Sequence, residues 1–160
     1  VKSYLLSSLS FRYGSADEET FARAFTHDWL LWEPGAWKAP ASTTHLLTPS
    51  TTPTPSKAGE ALALALEPRP DGQPLKLGRG AECDAIINDG TLSQVHLVFM
   101  RSEKTWTVRD ANSRNGSKLD AVKLEPGKPG TLANGSRLVA AQVAFTFYNS
   151  AGMLARLKGL

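Results

Sequence analysis

The sequence predicts an all-β domain, a sandwich of two mainly antiparallel sheets, with helical segments at its two ends. Three observations carry this expectation. From Ala61 the apolar pattern takes a period of two, with Ala and Leu alternating as far as Leu66, the repeat of an extended strand. Short strand-like runs then follow one another to Tyr148 with turn residues between them. Many short strands with regular turn signals argue for a closed or two-sheet β architecture.

Taken in order, residues 1–40 form an aromatic-rich arm. Eight of the chain's thirteen Phe, Tyr and Trp residues lie there, including Trp29, Trp32 and Trp37. Ser15, with Glu18 three residues on, has the pattern of a capping box. Phe21, Phe25 and Trp29 follow at four-residue spacing, which places one aromatic stripe along a helix that Pro34-Gly35 would end. That stripe either packs on the sandwich or on a second copy, or serves as an exposed docking arm, because large aromatic patches rarely stay in water.

Residues 41–60 read as a linker. Ala41–Ser56 holds six Thr, three Ser and three Pro and no charged side chain, a composition of extended, solvated chain. It contains Thr48-Pro49, Thr52-Pro53 and Thr54-Pro55. Each of these threonines is a candidate for phosphorylation, which would make the linker a ligand tethered to its own chain.

Residues 61–148 form the expected β domain. After Ala61–Leu66 and a turn from Pro68 to Pro74, strands are expected at Leu75–Leu77, Ala85–Ile87, Leu97–Arg101 and Trp106–Arg109. Lys118–Lys123, Gly130–Leu132, Arg137–Ala140 and Gln142–Tyr148 complete the series. Gly90, Asn112, Gly116, Gly127, Gly130 and Gly135 punctuate it. Residues 149–160 read as a short helix capped by Asn149 or Ser150, with Met153, Leu154 and Leu157 on one side.

Composition narrows the function classes. The net charge of +3 is too small to argue for nucleic acid. It is uneven, with fourteen Lys/Arg against ten Asp/Glu over residues 57–160, which suits an anionic ligand there. Cys83 is the only cysteine, so neither an intrachain disulfide nor a cysteine-rich metal site can form. No apolar run approaches bilayer length, and Val1–Leu6 is too short for a secretory core. A cytoplasmic protein with no membrane partner is expected. Asp84, Asp89 and Asp110 lack metal-site spacing, and no P-loop, zincin or nucleophile-elbow pattern occurs. Neither enzymatic activity nor a cofactor is expected.

Three clusters near strand ends carry chemistry: Gly78-Arg79, Ser93-Gln94-Val95-His96, and Ser113-Arg114-Asn115-Gly116. Together they supply a cation on a sharp turn, short hydroxyl donors, and an Asn-Gly turn that accepts positive φ. Read singly, they are a surface arginine, a loop histidine and a hairpin turn. In this order, with Trp106–Arg109 before the last, they resemble the recognition loops of a forkhead-associated (FHA) domain, over residues 61–148.

The resemblance implies a module that binds phosphothreonine in partner proteins, within Ser/Thr kinase signalling. A phosphate monoester brings about −1.5 to −2 charge and three acceptor oxygens, which charge-assisted donors can hold. By resemblance Arg79 pairs with the phosphate and Ser93 donates to it. Asn115 bonds the ligand backbone, and Gln94 has a weaker claim to a backbone contact. Arg114 stands where many members have Thr; it is either a second cation opposite Arg79 or leans outward. Gly78, His96, Ser113 and Gly116 are expected to be structural. Asp84, Asp89 and Asp110 are expected to stabilise loops or partner their cations. The implied partner is a phosphothreonine protein or peptide, a Ser/Thr kinase or its substrate. The competing reading is a phospho-independent assembly module that self-associates or captures partners through the aromatic arm.

Overall fold

The computed structural model describes residues 1–32 and 61–159. The linker threonines, Pro34-Gly35 and Trp37 lie outside the described residues. Twelve strands and three helices are assigned among those described.

The alternation of Leu and Ala after residue 60 decides the layering. Strand β3 (Leu62–Leu66) is buried throughout. Its leucines enter the core between the sheets, while Ala61 and Ala63 belong to a second apolar cluster on the opposite face. Successive side chains of a strand point to opposite faces, so one apolar run serves two cores. Small alanines on the outer face leave room for large rings against the sheet.

Those rings come from the N-terminal residues. Strand β1 (Ser3–Leu5) leads into helix α1 (Leu6–Tyr13), followed by helix α2 (Glu18–Ala24) and strand β2 (Asp28–Trp32). The residues expected to form an arm are therefore woven into a sheet: β2 pairs with β3 in the register Trp32↔Leu62 and with the strand Val143–Tyr148 in the register Trp32↔Phe145. Leu30 and Trp32 point into the sandwich core, and Trp29 points to the outer cluster with Leu31.

The expected aromatic helix is corrected here. Helix α2 ends at Ala24, Phe25 is extended with φ of −135°, and Trp29 lies in β2. Four-residue spacing fits a helix, but Trp29-Leu30-Leu31-Trp32 is also an apolar run that two neighbouring strands can bury on both faces. The cap is also moved: Asp17 accepts from the Thr20 amide at 2.8 Å, where Ser15 was expected to cap. The three rings still meet, with centroids 5.2 Å apart for Phe21–Phe25 and 5.1 Å for Phe25–Trp29. Tyr4 and Tyr13 extend the cluster. Phe11, at 93% exposure, stands outside it.

The remaining strands are β4 (Leu75–Gly78), β5 (Ala85–Ile86), β6 (Leu97–Ser102), β7 (Thr105–Asp110), β8 (Ser117–Leu119), β9 (Val122–Lys123), β10 (Gly130–Thr131), β11 (Arg137–Ala140) and β12 (Val143–Tyr148). One sheet runs β1-β3-β2-β12-β11-β8-β9, the other β10-β7-β6-β4-β5. All pairings are antiparallel except β4 with β5. The single strand expected over Lys118–Lys123 is instead a hairpin, with Asp120 and Ala121 at φ of 49° and 68° in its turn. A two-residue hairpin turn of type I′ needs positive φ at both positions, and Asp-Ala gives little sign of it. Helix α3 (Ser150–Lys158) closes the chain, its Gly152 amide bound to the Asn149 side chain at 2.8 Å, and buries Met153, Leu154 and Leu157 against the aromatic cluster.

Truncating a fully buried large ring costs about 3–5 kcal/mol, so Trp29→Ala should lower unfolding free energy by that order in urea titrations. Phe11→Ser should stay within about 0.5 kcal/mol of the parent, as surface changes do. A neutral Trp29→Ala would show that the N-terminal residues are not part of the cooperative fold.

Candidate functional site

The candidate loops meet at one end of the sandwich, and Gly78 is where they begin. A Cβ on Gly78 would stand 2.4 Å from the Gln94 carbonyl oxygen and 2.8 Å from that of Ser93. Only a residue without a side chain lets the 91–96 segment lie this close to the end of β4. The contact continues as backbone pairing: the Arg79 amide donates to Ser93 O at 3.1 Å and the Gly80 amide to Gln94 O at 2.9 Å. Arg79 is exposed, with Nε donating to Leu92 O at 2.7 Å. One edge of its guanidinium is fastened to the loop. Among the described residues no carboxylate pairs with it.

His96 is fully buried and holds two loops at once. Its Nδ1 accepts from the Ser93 amide at 3.1 Å, and an atom that accepts carries no proton. The ring proton therefore sits on Nε2, which donates to Gly116 O at 2.9 Å. The His96 amide adds a bond to Leu77 O at 2.8 Å, and His96 O accepts from Ala111. The histidine thus ties the end of β4, the 91–96 loop and the start of β8 together.

Asp110, at the end of β7, organises the third loop from within. Its carboxylate accepts from the Ser113 amide at 2.7 Å and from the hydroxyls of Ser113 and Ser117. Burial works against its charge, but the Ser113 and Ser117 hydroxyls and the Ser113 amide outweigh it and hold the carboxyl below its ordinary value. Ser113 Oγ in turn accepts from the Gly116 amide at 3.0 Å, closing the turn in which Gly116 has φ of 77°.

The segment 91–93 is the meeting point. The Arg114 amide donates to Ser93 Oγ at 2.9 Å, and Asn115 Nδ2 donates to Thr91 O at 2.7 Å. Arg79 reaches the same segment from the other side through Leu92 O. Ser93 Oγ accepts from Arg114, and its own O–H meets no acceptor among the described residues. Arg114 is exposed, with no ion pair or side-chain hydrogen bond among them. Arg79, Ser93, Arg114 and Asn115 are therefore brought together. Gln94 is exposed and lies at the edge, its side-chain oxygen 2.7 Å from where a Cβ on Gly80 would be.

Two supports went unrecognised as such in the sequence. Cys83 is buried and donates through Sγ to Gln94 O at 3.0 Å. Burial first, then the charge of Glu82, pushes its thiol up to about 11. Thr91 binds Asp89 through both amide and hydroxyl, and its carbonyl is the anchor for Asn115. The pattern Asp-Gly-Thr at 89–91 is the available signal, an acid that turns back on its own backbone. Asp84 accepts from Arg69 and from the Lys76 amide, away from these cations. No group of His, Cys, Asp and Glu able to hold a metal occurs among the described residues.

Residues 75–140 match the family model of the FHA domain. Over these residues the chain is FHA-like. Its fold is similar to the solution structure of the FHA domain of an Arabidopsis thaliana hypothetical protein, with TM-score 0.53 and 19% identity over 77% of this chain and 86% of that one. It is likewise similar to the FHA domain of the CT664 protein from Chlamydia trachomatis, with TM-score 0.51 and 17% identity over 76% and 97%. A looser likeness, TM-score 0.44 and 21% identity, links 48% of this chain to 20% of Mycobacterium tuberculosis EmbR in complex with a low affinity phosphopeptide. The chain thus spans about one fifth of the length of EmbR. No curated protein matches the sequence.

The FHA match begins at β4 and ends with β11, while the seven-stranded sheet also takes β1, β2, β3 and β12 from outside it. The candidate loops all fall inside the matched stretch, and the strands that complete their scaffold do not.

Asp110 yields a pH prediction. A carboxyl held below its ordinary pKa in the folded state stabilises the fold fully above the unfolded value, about 3.9 for Asp. That contribution is lost as pH falls through the lower folded value. Asp110→Asn should therefore be less stable than the parent by about 1–3 kcal/mol at neutral pH, with the gap closing below about pH 4. Urea unfolding across pH checks this; a gap independent of pH would refute it. Cys83 should alkylate slowly at neutral pH in the folded protein and promptly in denaturant, because only the thiolate reacts.

Proposed function

We propose that this FHA domain binds a phosphothreonine-containing segment of a partner protein, within Ser/Thr kinase signalling. The observation that carries the reading is the state of the 91–93 segment. Ser93 Oγ accepts from the Arg114 amide, its O–H is undirected among the described residues, and two arginines lacking carboxylate partners flank it. A phosphate monoester presents acceptor oxygens and negative charge to that combination. Arg79 would supply a charged fork already oriented by its Nε bond, which reduces the ordering needed on binding. Ser93 would donate its hydroxyl proton. Arg114 would add a second cation, and the free oxygen of the Asn115 amide would meet a ligand backbone N–H.

The supports of the site favour rigid recognition over chemistry. His96 has both ring nitrogens engaged with backbone groups in a sealed interior, so it would brace the site and not move protons. We assign no catalytic role to this segment. The assembly reading would use the N-terminal aromatics as its contact surface, yet Phe21 and Trp29 are fully buried within the chain's own fold.

Affinity of the order of micromolar is expected for one phosphate on an extended, ordered peptide. Arg79→Ala should lower affinity for a phosphothreonine peptide about tenfold or more, in line with loss of a charge-assisted bond at about 1.5–3 kcal/mol. Ser93→Ala should act in the same direction. Isothermal titration with phosphorylated and unphosphorylated peptide libraries provides the test. Equal binding of the two forms would sink the reading.

A further inference from the structure

The tripeptide Asn-Gly-Ser occurs twice in this chain, at 115–117, where the third loop meets β8, and at 134–136, between β10 and β11. The local chemistry is the same at both places. The backbone nitrogen after an asparagine can attack its side-chain amide, because the attack closes a five-membered ring. A following glycine puts no side chain in the way. A Cβ on Gly116 or on Gly135 would meet no atom within 4 Å, so water reaches either peptide. Both asparagines are exposed. What differs is the partner of each reacting group.

At 134–136 both groups are held back. The Gly135 amide donates at 2.7 Å to the carbonyl of Phe147, a neutral backbone acceptor on β12. Asn134 Oδ1 accepts from the Asn149 amide at 3.1 Å, and the side chain lies against Gly152, where a Cβ would collide with it. Turning Asn134 toward Gly135 would break the bond at the start of α3. Gly116 instead heads a relay. Its amide donates to Ser113 Oγ at 3.0 Å, and the Ser113 hydroxyl donates to the Asp110 carboxylate. A hydroxyl that accepts from an amide and donates to a carboxylate can pass a proton from the first to the second. Against the pull of burial, the Ser113 and Ser117 hydroxyls keep Asp110 ionised and able to receive it. Asn115 is held only through Nδ2, by its bond to Thr91 O, and its amide oxygen meets no donor among the described residues.

We propose that Asn115-Gly116 is a self-modifying site, whose deamidation turns the phosphate-binding loops off with time. The Gly116 nitrogen bonds Asn115 Cγ and gives up its proton through Ser113 to Asp110. The Cγ–Nδ2 bond breaks, and Nδ2 leaves as ammonia, taking that proton with it. Water then opens the succinimide at either carbonyl, leaving aspartate or isoaspartate in place of Asn115. No oxidant or cofactor enters the balance. Either product sets a carboxylate beside the segment that Arg79 and Arg114 flank, and isoaspartate also lengthens the turn by one methylene. A negative charge there opposes a phosphate and competes for both cations. Only this consequence rests on the phosphothreonine reading above; the chemistry stands without it.

Peptide mass spectrometry of the folded protein, incubated near neutral pH, reads amide-to-acid conversion at Asn115 and Asn134 separately. The same measurement in guanidinium chloride gives each asparagine's rate without tertiary structure. Relative to that rate, Asn115 should convert about tenfold faster than Asn134, short of the roughly hundredfold of a well-placed base because Asp110 is a weakened one. In Ser113→Ala the Asn115 rate should fall. Equal relative rates, a slower Asn115, or faster conversion in Ser113→Ala overturns the proposal. If Ser113→Ala does not fold, the two asparagines of the parent decide alone. The consequence is read by titrating Asn115→Asp with a phosphothreonine peptide, where affinity should fall about tenfold or more. Unchanged affinity overturns the switch. If no phosphopeptide binds the parent, the phosphothreonine reading falls, and the conversion rates still decide the chemistry.

Discussion

One buried side chain holds the candidate loops of this domain together. His96 accepts from the Ser93 amide on one ring nitrogen and donates to the Gly116 carbonyl with the other. Ser93 precedes a strand of one sheet and Gly116 precedes a strand of the other, so the imidazole bridges the two sheets at the point where their loops must agree. Buried backbone groups in loops need partners, and here a single ring serves two of them. The Arg114 amide can reach Ser93 Oγ, and Asn115 can reach Thr91 O, only while those segments keep this separation. Fixed loops on a fixed scaffold give a surface that needs little reordering to receive an anion.

Around that bridge the loops are stiffened by the same device, an acid turned back on its own loop. Asp110 gathers Ser113 and Ser117, and Asp89 gathers Thr91. The negative charges are thereby occupied by hydroxyls and amides and do not neutralise Arg79 and Arg114. This separation of tasks lets a site be rigid and still keep its cations for a ligand. Neutral supports alone would not distinguish it, since the loop needs strong acceptors for several donors at once.

Much of the site was readable in the residues because its chemistry is demanding. A close backbone approach needs Gly78, and a positive-φ turn needs Gly116. A cation, a hydroxyl and an amide at fixed strand ends have few other uses in combination. The N-terminal residues were harder. Phe21, Phe25 and Trp29 satisfy a helical spacing, and Trp29–Trp32 also satisfies a strand buried on both faces; local pattern does not choose between them. The choice falls to β3 and β12, which offer β2 a ladder on each side. The hairpin of β8 and β9 was obscured for a similar reason. Ala121 at φ of 68° is not a residue that announces a turn. That turn is held by Asp120, whose carboxylate and amide both bond the backbone of Arg137 on the neighbouring strand.

The sequence by itself determined the β class, the run of strands from Ala61 to Tyr148 and the residue types of the recognition loops, because period-two patterning and turn chemistry act over a few residues. Only the tertiary structure decided that the N-terminal aromatics complete the scaffold and that His96 bridges two loops. Those outcomes depend on contacts between segments far apart in the chain. A strand's neighbours and a side chain's partners are set by which distant surfaces can be buried together, and local sequence does not encode that choice.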